Sequence, residues 1–186
     1  MWAVRGLRTE PQQRVHDNGP RTGLIVGARM TDPEWRIESR AYGDPIVEGM
    51  LADYLSELLV HMPDFDSDRA VPPGPSDFEW PNGKFLVVFA RGEPIACGAI
   101  RRLSEAVGEL RRMWVNPAWR GRGVARFLLS SLEAVASEME VLELRLDTNR
   151  ALTPAIALYG SDGFVEVPRY NDNEFANIWM SKRLDA

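Results

Sequence analysis

The stretch "WRGRGVARFLL", residues 119–129, places three arginines and two glycines directly before an apolar helical run. Helices usually begin at a Ser, Thr, Asp or Asn cap, and none directly precedes this run. Gly121 and Gly123 can adopt backbone angles closed to other residues and leave room for a ligand. The first amides of a helix have no intrahelical acceptor, and together with the helix dipole they bind phosphate groups. Because Arg120 and Arg122 add positive charge, the stretch predicts a phosphate or diphosphate site, with a solvated Gly/Arg turn as the alternative.

The elements around this stretch predict the fold class. Short turns separate the apolar or alternating segments 85–90, 95–103 and 108–115, which predicts an antiparallel meander. A helix over 123–139 and a strand over 142–148 follow, and such a crossover requires one parallel neighbour. The same patterns predict a strand over 35–42, a helix over 45–62 capped by Asp44, a helix over about 153–162, and strands over 164–167 and 176–184. The predicted class is α/β, with a single mixed, mostly antiparallel sheet flanked by helices.

Composition excludes several classes of protein. The chain has 186 residues, 45% of them hydrophobic, which suits one domain with a real core. No run of 18 apolar residues predicts a membrane span, and the net charge of -5 disfavours a nucleic-acid partner. The single cysteine, Cys97, excludes an internal disulfide and a cysteine-built metal site, so no metal and a reducing cytoplasm are expected. Cys97 itself is predicted to be a buried hydrophobe, with a cysteine acyl carrier as the alternative.

The first 29 residues differ from the rest of the chain. They carry five arginines and two acids, with glycine, proline and polar residues throughout and no sustained period. We predict a disordered or artefactual extension over 1–29 and a domain over 30–186. Three accounts stay open: translation that begins at Met30, a genuine flexible tail, and a targeting peptide, against which Glu10 and Asp17 argue.

A long segment, 63–83, contains five prolines and five acids. It is predicted to be a loop, and long loops in compact domains are often functional. It is either a solvated connector or a flap over a binding site, in which case its acids would attract a cationic substrate.

Two longer stretches carry a resemblance to a known family. "LRRMWVNPAWRGRGVARFLL", residues 110–129, resembles the central motif of the GCN5-related N-acetyltransferase (GNAT) superfamily, an apolar strand followed by Arg/Gln-x-x-Gly-x-Gly/Ala at a helix start. "LDTNRALTPAIALYGSDGF", residues 146–164, resembles the second motif of that family. The resemblance covers about residues 35–184. It departs from the family pattern at Ala125, where many members have Gly.

The resemblance implies acetyl-CoA as the acyl donor. Its diphosphate would bind the amides from Arg122 to Ala125 and their neighbours. The backbone of Met113 and Val115 would bond the pantetheine arm like an added strand, and Asn149 would contact the arm from the neighbouring strand. The residues expected to bind the cofactor are Met113, Trp114, Val115, Arg120, Gly121, Arg122, Gly123, Val124, Ala125 and Asn149.

Acetyl transfer needs a proton donor for the leaving thiolate and a base for the amine. The resemblance assigns the acid role to Tyr159, which is protonated at neutral pH; a core tyrosine is the alternative. The resemblance makes Glu109 the candidate base, and alternation predicts that Glu109, Arg111 and Met113 share one face. In similar family members a Glu here works through water. The alternative is a salt bridge from Glu109 to Arg111 or Arg102.

The resemblance therefore predicts an acetyl-CoA-dependent N-acetyltransferase acting on a primary amine of a small molecule or a protein. The acidic segment 64–79 favours a cationic acceptor, and a homodimer is expected only because dimers are common in the family. One alternative is a non-catalytic acyl-CoA-binding or sensor module on the same fold. A second is a nucleotide-phosphate enzyme of another fold, against which the missing P-loop lysine and magnesium ligands argue.

Overall fold

The computed structural model describes residues 35–66 and 74–184. The strands in this part of the chain are β1 (Trp35–Arg40), β2 (Gly83–Ala90), β3 (Glu93–Arg102), β4 (Val107–Val115), β5 (Glu143–Thr148), β6 (Val165–Glu166) and β7 (Ile178–Arg183). The α-helices are α1 (Pro45–His61), α2 (Val124–Glu138) and α3 (Thr153–Ser161), and short 3₁₀ helices cover Pro75–Phe78 and Pro117–Trp119. The predicted extension over 1–29 lies outside the described residues and stays a prediction.

The described strands form one sheet in the order β1-β2-β3-β4-β5-β7-β6. Every neighbouring pair is antiparallel except β4 and β5, which run parallel because α2 connects them. The predicted meander, the single parallel neighbour and the mixed sheet are therefore confirmed.

Alternation along the strands divides the core into two apolar layers. In β2, Phe85, Val87 and Phe89 belong to the layer that includes residues of α1, whereas Leu86 and Val88 belong to the layer that includes residues of α2. Successive strand side chains point to opposite faces, so a central strand that is apolar at every position is buried on both sides. The sheet is thus covered by helices on both faces.

The starts of the two long helices differ. Asp44 caps α1, because its Oδ1 accepts a hydrogen bond from the amide of Ile46 at 2.8 Å, and Pro45 follows in the first turn. The N-cap of α2 is Gly123, which offers no side-chain acceptor. One helix start is thus satisfied by its own chain, and the other is left open. In the described residues no helix has both the length and the apolar character needed to cross a bilayer.

Candidate functional site

The turn before α2 presents a row of backbone amides. Gly121 and Gly123 have φ angles of +73° and +91°, a region that favours glycine. Among the described residues no backbone acceptor pairs with the amides of 121–126, and the first paired amide is that of Phe127, which donates to the carbonyl of Gly123 at 3.0 Å. The predicted left-handed glycines and unpaired amides are confirmed, and this geometry suits an anion.

The two arginines of this turn have different surroundings. Arg120 donates from Nε to the carbonyl of Val115 at 3.0 Å and from Nη2 to Oε2 of Glu57 at 2.5 Å. Although partial burial opposes the shift, hydrogen bonds from Arg120 and Trp114 hold the pKa of Glu57 below its ordinary value. The guanidinium of Arg122 instead lies 5.0 Å from the centroid of the Trp119 ring. The charge of Arg120 is therefore already balanced within the protein, whereas Arg122 is exposed at the turn.

The cleft begins where β4 and β5 separate. Their pairing covers only residues 107–109 of β4, opposite residues 143–145 of β5. The rest of β4 has no pairing with β5, which leaves its edge open along the approach to the turn before α2. Of the two strand residues predicted to bond the pantetheine arm, Val115 already uses its carbonyl to accept from Arg120.

A β-bulge interrupts β4 inside this opening. Ala99 pairs with Arg111 and Cys97 with Trp114, so two residues of β4 face a single residue of β3. The first of the two, Arg112, has a φ angle of +56°. Because the bulge shifts the alternation by one residue, Met113 packs against the apolar layer of α2. The predicted common face of Glu109, Arg111 and Met113 is therefore wrong at Met113.

A cavity of about 310 Å³ lies beside the bulge. Its walls come from α1, β4, β5, α3 and the segment 171–176 that leads into β7. Phe65, just beyond α1, meets Phe175 of that segment edge-on, with ring centroids 4.9 Å apart. Two separate parts of the chain thus enclose the cavity from opposite sides.

Tyr159 on α3 lines this cavity and is 8% exposed. Burial, with smaller effects from Tyr54 and from the charge of Asp147, raises its pKa above the ordinary value. The hydroxyl is therefore protonated throughout the neutral range, as a proton donor must be. Its assignment as the acid stays a prediction.

Glu109 occupies a different place from the predicted one. It is fully buried and is not among the residues that line the cavity. Its carboxylate accepts from Arg101 Nε at 2.7 Å, from the Tyr170 hydroxyl at 3.0 Å and from Asn171 Nδ2 at 3.3 Å. Arg111 lies farther away, at 3.8 Å. The geometry is that of the ion-pair alternative, with Arg101 as the main partner, and the base role of Glu109 stays a prediction.

Asp147 is the cavity carboxylate that the sequence analysis did not single out. It lies on the polar face of β5 with Glu143 and Arg145, opposite the buried Leu144 and Leu146, and its side chain is 7% exposed. It accepts from Arg111 at 3.0 Å, from Asn171 at 2.7 Å and from Asn173 at 2.8 Å. The sequence held no signal for this role, because Asp147 follows Glu143 and Arg145 on the polar side of the alternating strand. Within 35–66 and 74–184, no group of three or more His, Cys, Asp or Glu residues could hold a metal ion.

Asn149 also lines the cavity, but its side chain is engaged within the chain. Its Nδ2 donates to the carbonyl of Phe175 at 2.8 Å, and its Oδ1 accepts from the amide of Ala151 at 3.0 Å. The side chain thereby fixes the segment 171–176 against the end of β5. Its contact with a cofactor stays a prediction.

Comparisons with known proteins agree with this fold. A sequence model of the Acetyltransferase (GNAT) family matches residues 53–164, more than half of the chain. The IAA acetyltransferase of Azospirillum brasilense is 37% identical over 87 residues, 46% of this chain and 57% of that protein. The chain spans about half the length of the first curated relatives it matches.

Two solved structures share the fold. An acetyltransferase of the GNAT family from Staphylococcus aureus Mu50 has a TM-score of 0.67 at 16% identity, covering 81% of this chain and 99% of that chain. A GNAT family acetyltransferase from Elizabethkingia anophelis with acetyl-CoA bound has a TM-score of 0.58 at 17% identity, covering 82% and 100%. At these identities the likeness concerns the fold alone.

Proposed function

This chain belongs to the Acetyltransferase (GNAT) family, and from that membership we propose that it transfers an acetyl group from acetyl-CoA to an amine. The observation that carries the proposal is the opening between β4 and β5. Residues of both strands at this opening line the cavity that contains Tyr159, and the turn with the unpaired amides follows β4 in the chain. A donor with a diphosphate at one end and a thioester at the other fits such an arrangement.

The residues at the turn suit the diphosphate. The left-handed glycines 121 and 123 direct unpaired amides outward, and a Cβ at Gly121 would meet no other atom within 4 Å. Backbone amides at a helix start, with the exposed Arg122 beside them, bind an anion without any metal ion. We assign the diphosphate to the amides of 122–125 and the pantetheine arm to the open edge of β4 beside Met113 and Trp114.

Acetyl-CoA supplies an activated acyl group. In the reaction we propose, the amine nitrogen attacks the thioester carbonyl carbon, a C–N bond forms and the C–S bond breaks. Tyr159 gives its proton to the departing sulfur. The raised pKa of Tyr159 keeps that proton in place until the thiolate develops.

The proton lost by the amine needs an acceptor. We propose Asp147, acting directly or through water, because it lines the cavity and its charge reaches Tyr159. Glu109 is the alternative predicted from the sequence. A proton would have to reach it past Tyr170 or Asn171, both of which donate to Oε1 of Glu109.

Three finer assignments are also proposals. The acidic segment 64–79 supports a cationic acceptor, but residues 67–73 lie outside the described residues and Asp77 is paired with Arg101 at 3.1 Å. A homodimer and a cytoplasmic location rest on the family and on the single cysteine. Light scattering and cell fractionation would test the last two.

The test of the main proposal is amine-dependent release of CoA thiol. The intact protein is incubated with acetyl-CoA and a panel of primary amines, with mass spectrometry of the products and calorimetry of CoA binding. We expect CoA to bind and at least one amine to be acetylated. Binding without acetylation of any amine would favour the non-catalytic module, and no binding would overturn the proposal.

A further inference from the structure

Three arginines line the cavity, and two of them are neutralised by carboxylates of the protein. Arg101 lies 2.7 Å from Glu109 and 3.1 Å from Asp77. Arg111 lies 3.0 Å from Asp147. These two arginines therefore add little net charge to the cavity.

Arg112 is different. In the described residues it forms no ion pair, and its guanidinium carbon lies 5.9 Å from the centroid of the Tyr54 ring. Its positive charge opposes the rise in the pKa of Tyr54 that burial produces. Another acid of the cavity wall, Asp172, pairs with Arg169 at 3.2 Å. One partly buried positive charge is thus left unbalanced.

The β-bulge determines where this charge lies. In a regular strand, Arg112 would point to the face opposite Arg111, toward the apolar layer of α2. The extra residue turns its side chain to the cavity side and packs Met113 into that layer instead. The bulge holds a non-glycine residue at a φ angle of +56°, a strained conformation that concentrates at functional sites.

We propose that Arg112 binds a carboxylate of the acceptor, so that the substrate is an amine that also carries a carboxylate. This inference rests on the proposed acetyl transfer and names its acceptor class. A guanidinium can hold a carboxylate through two parallel hydrogen bonds. Arg112 contacts Tyr54, with which it also shares a side-chain hydrogen bond, but no carboxylate of the described residues pairs with it. Tyr159, on α3, lines the same cavity as Arg112, on β4, so a small molecule with its amine near the thioester could reach Arg112 with its carboxylate. Leu58, Met62 and Phe65 form an apolar wall suited to a hydrophobic side chain.

The first test compares amino acids with their carboxamides. Leucine and phenylalanine are assayed against leucinamide and phenylalaninamide, which keep the amine and lack the carboxylate. We expect kcat/KM to be about 10- to 100-fold higher for the acids, the range for a hydrogen bond to a charged group. Arg112→Gln should remove this preference by lowering kcat/KM for the acids alone, and Arg112→Lys should keep part of it.

The matched control is Arg91→Gln. Arg91 also has a positive φ angle, +53°, but it lies in the exposed turn between β2 and β3. It therefore reproduces the backbone context of Arg112 away from the cavity, and its variant should keep the full preference for the acids.

A second measurement does not depend on turnover. Calorimetry in the presence of CoA measures the binding of N-acetylleucine, a carboxylate with the shape of a product. We expect it to bind, and we expect Arg112→Gln to weaken the binding about 10-fold or more.

The outcomes separate the two proposals. If N-acetylleucine binds and Arg112→Gln weakens its binding while no amine is acetylated, the proposed activity fails and the carboxylate site stands. If amines are acetylated with no preference for acids, or if Arg112→Gln affects acids and amides alike, the carboxylate site is overturned and the activity stands. If nothing binds and nothing is acetylated, both are overturned.

Discussion

Glu57 on α1 neutralises Arg120 in the turn before α2, with Oε2 of Glu57 at 2.5 Å from Nη2 of Arg120. The same carboxylate accepts from the indole of Trp114 at 2.9 Å. Glu57 therefore joins the helix that walls the cavity to both the end of β4 and the turn. Because Glu57 pairs with Arg120, the two arginines have different roles: Arg120 fixes the turn, and Arg122 can attract an anion.

This difference between the two arginines predicts that Arg122 strengthens CoA binding in a salt-dependent way. Arg122→Gln should raise the Kd for CoA about 2- to 5-fold at low ionic strength, the range for an exposed charge near a helix start. The difference should shrink at high salt, since exposed charges are screened. Calorimetry at two salt concentrations checks this. Arg150→Gln, at an arginine that is 65% exposed and pairs with Glu166, is the control. An equal loss in both variants would show that only net charge matters.

Replacing glycine by alanine should have opposite effects on stability at Gly123 and at Gly49. Gly123→Ala forces a Cβ onto a φ angle of +91° and should destabilise the protein by about 1 kcal/mol while weakening CoA binding. Gly49→Ala lies within α1, where a Cβ meets nothing within 4 Å, and should stabilise the protein by about 0.5–1 kcal/mol. Urea denaturation and CoA titration measure both effects. Equal stability of the two variants would contradict the strained turn.

Tyr159→Phe tests the acid role. It removes the hydroxyl and keeps the ring that packs against Phe164 at 5.7 Å between centroids. We expect kcat to fall about 10²-fold or more with the Kd for CoA nearly unchanged, because the proton is needed only as the thiolate leaves. Steady-state kinetics and calorimetry together decide. A fully active Phe variant would remove Tyr159 from the mechanism.

The carboxylates of Asp147 and Glu109 predict different pH profiles. Asp147→Asn should lower kcat/KM and flatten its low-pH limb, because the proposed base is lost. Glu109→Gln should keep that limb and instead lower the free energy of unfolding by on the order of 3 kcal/mol, because Arg101 loses a buried partner. Rate measurements across the pH range, with denaturation of each variant, check both outcomes. Loss of the limb in Glu109→Gln would establish Glu109 as the base, as the sequence predicts.

The buried thiol of Cys97 leads us to expect that the free energy of unfolding falls at alkaline pH. Burial raises the pKa of its thiol from 9.0 to about 12. The folded protein keeps a proton that the unfolded chain releases, so the stabilisation is complete below pH 9.0 and declines as the pH rises toward 12. Between about pH 8 and about pH 10, Cys97→Ala should make the decline in unfolding free energy less steep.

The control for Cys97 is Val87→Ala. Val87 belongs to the same apolar layer and carries no ionisable group. Its variant should lower stability at every pH without changing the slope. If Cys97→Ala and the wild type decline in parallel, the thiol does not titrate in this way.

Much of the fold could be predicted from local patterns. The continuous apolar run of β2, the Asp44-Pro45 helix start and the glycines of the turn before α2 each depend on a few neighbouring residues, and the structure agrees with all of them. The predicted burial of Cys97 in an apolar strand is likewise confirmed. At these positions the structure depends on the local backbone and on neighbouring residues, and both can be inferred from a single sequence.

The bulge and the network behind it could not be predicted in this way. Arg112 is neither glycine nor asparagine, so nothing in its residue type indicates a left-handed backbone. The partners of Glu109 come from β3 and from the segment before β7, which are brought together only by the complete sheet. Alternation therefore places Met113 on the wrong face, and the ion-pair alternative for Glu109 names Arg111 or Arg102, whereas Arg101 is the main partner.

The short contact between β4 and β5 has one more consequence. Only three residue pairs along this seam join the half of the sheet formed by β1–β4 to the half formed by β5–β7. A thioester bound in the gap would contact both halves of the sheet. It would supply interactions in place of the absent residue pairs between β4 and β5. The unfolding temperature would then rise with the concentration of the bound ligand. The acyl donor would thus stabilise the folded sheet as well as take part in the reaction.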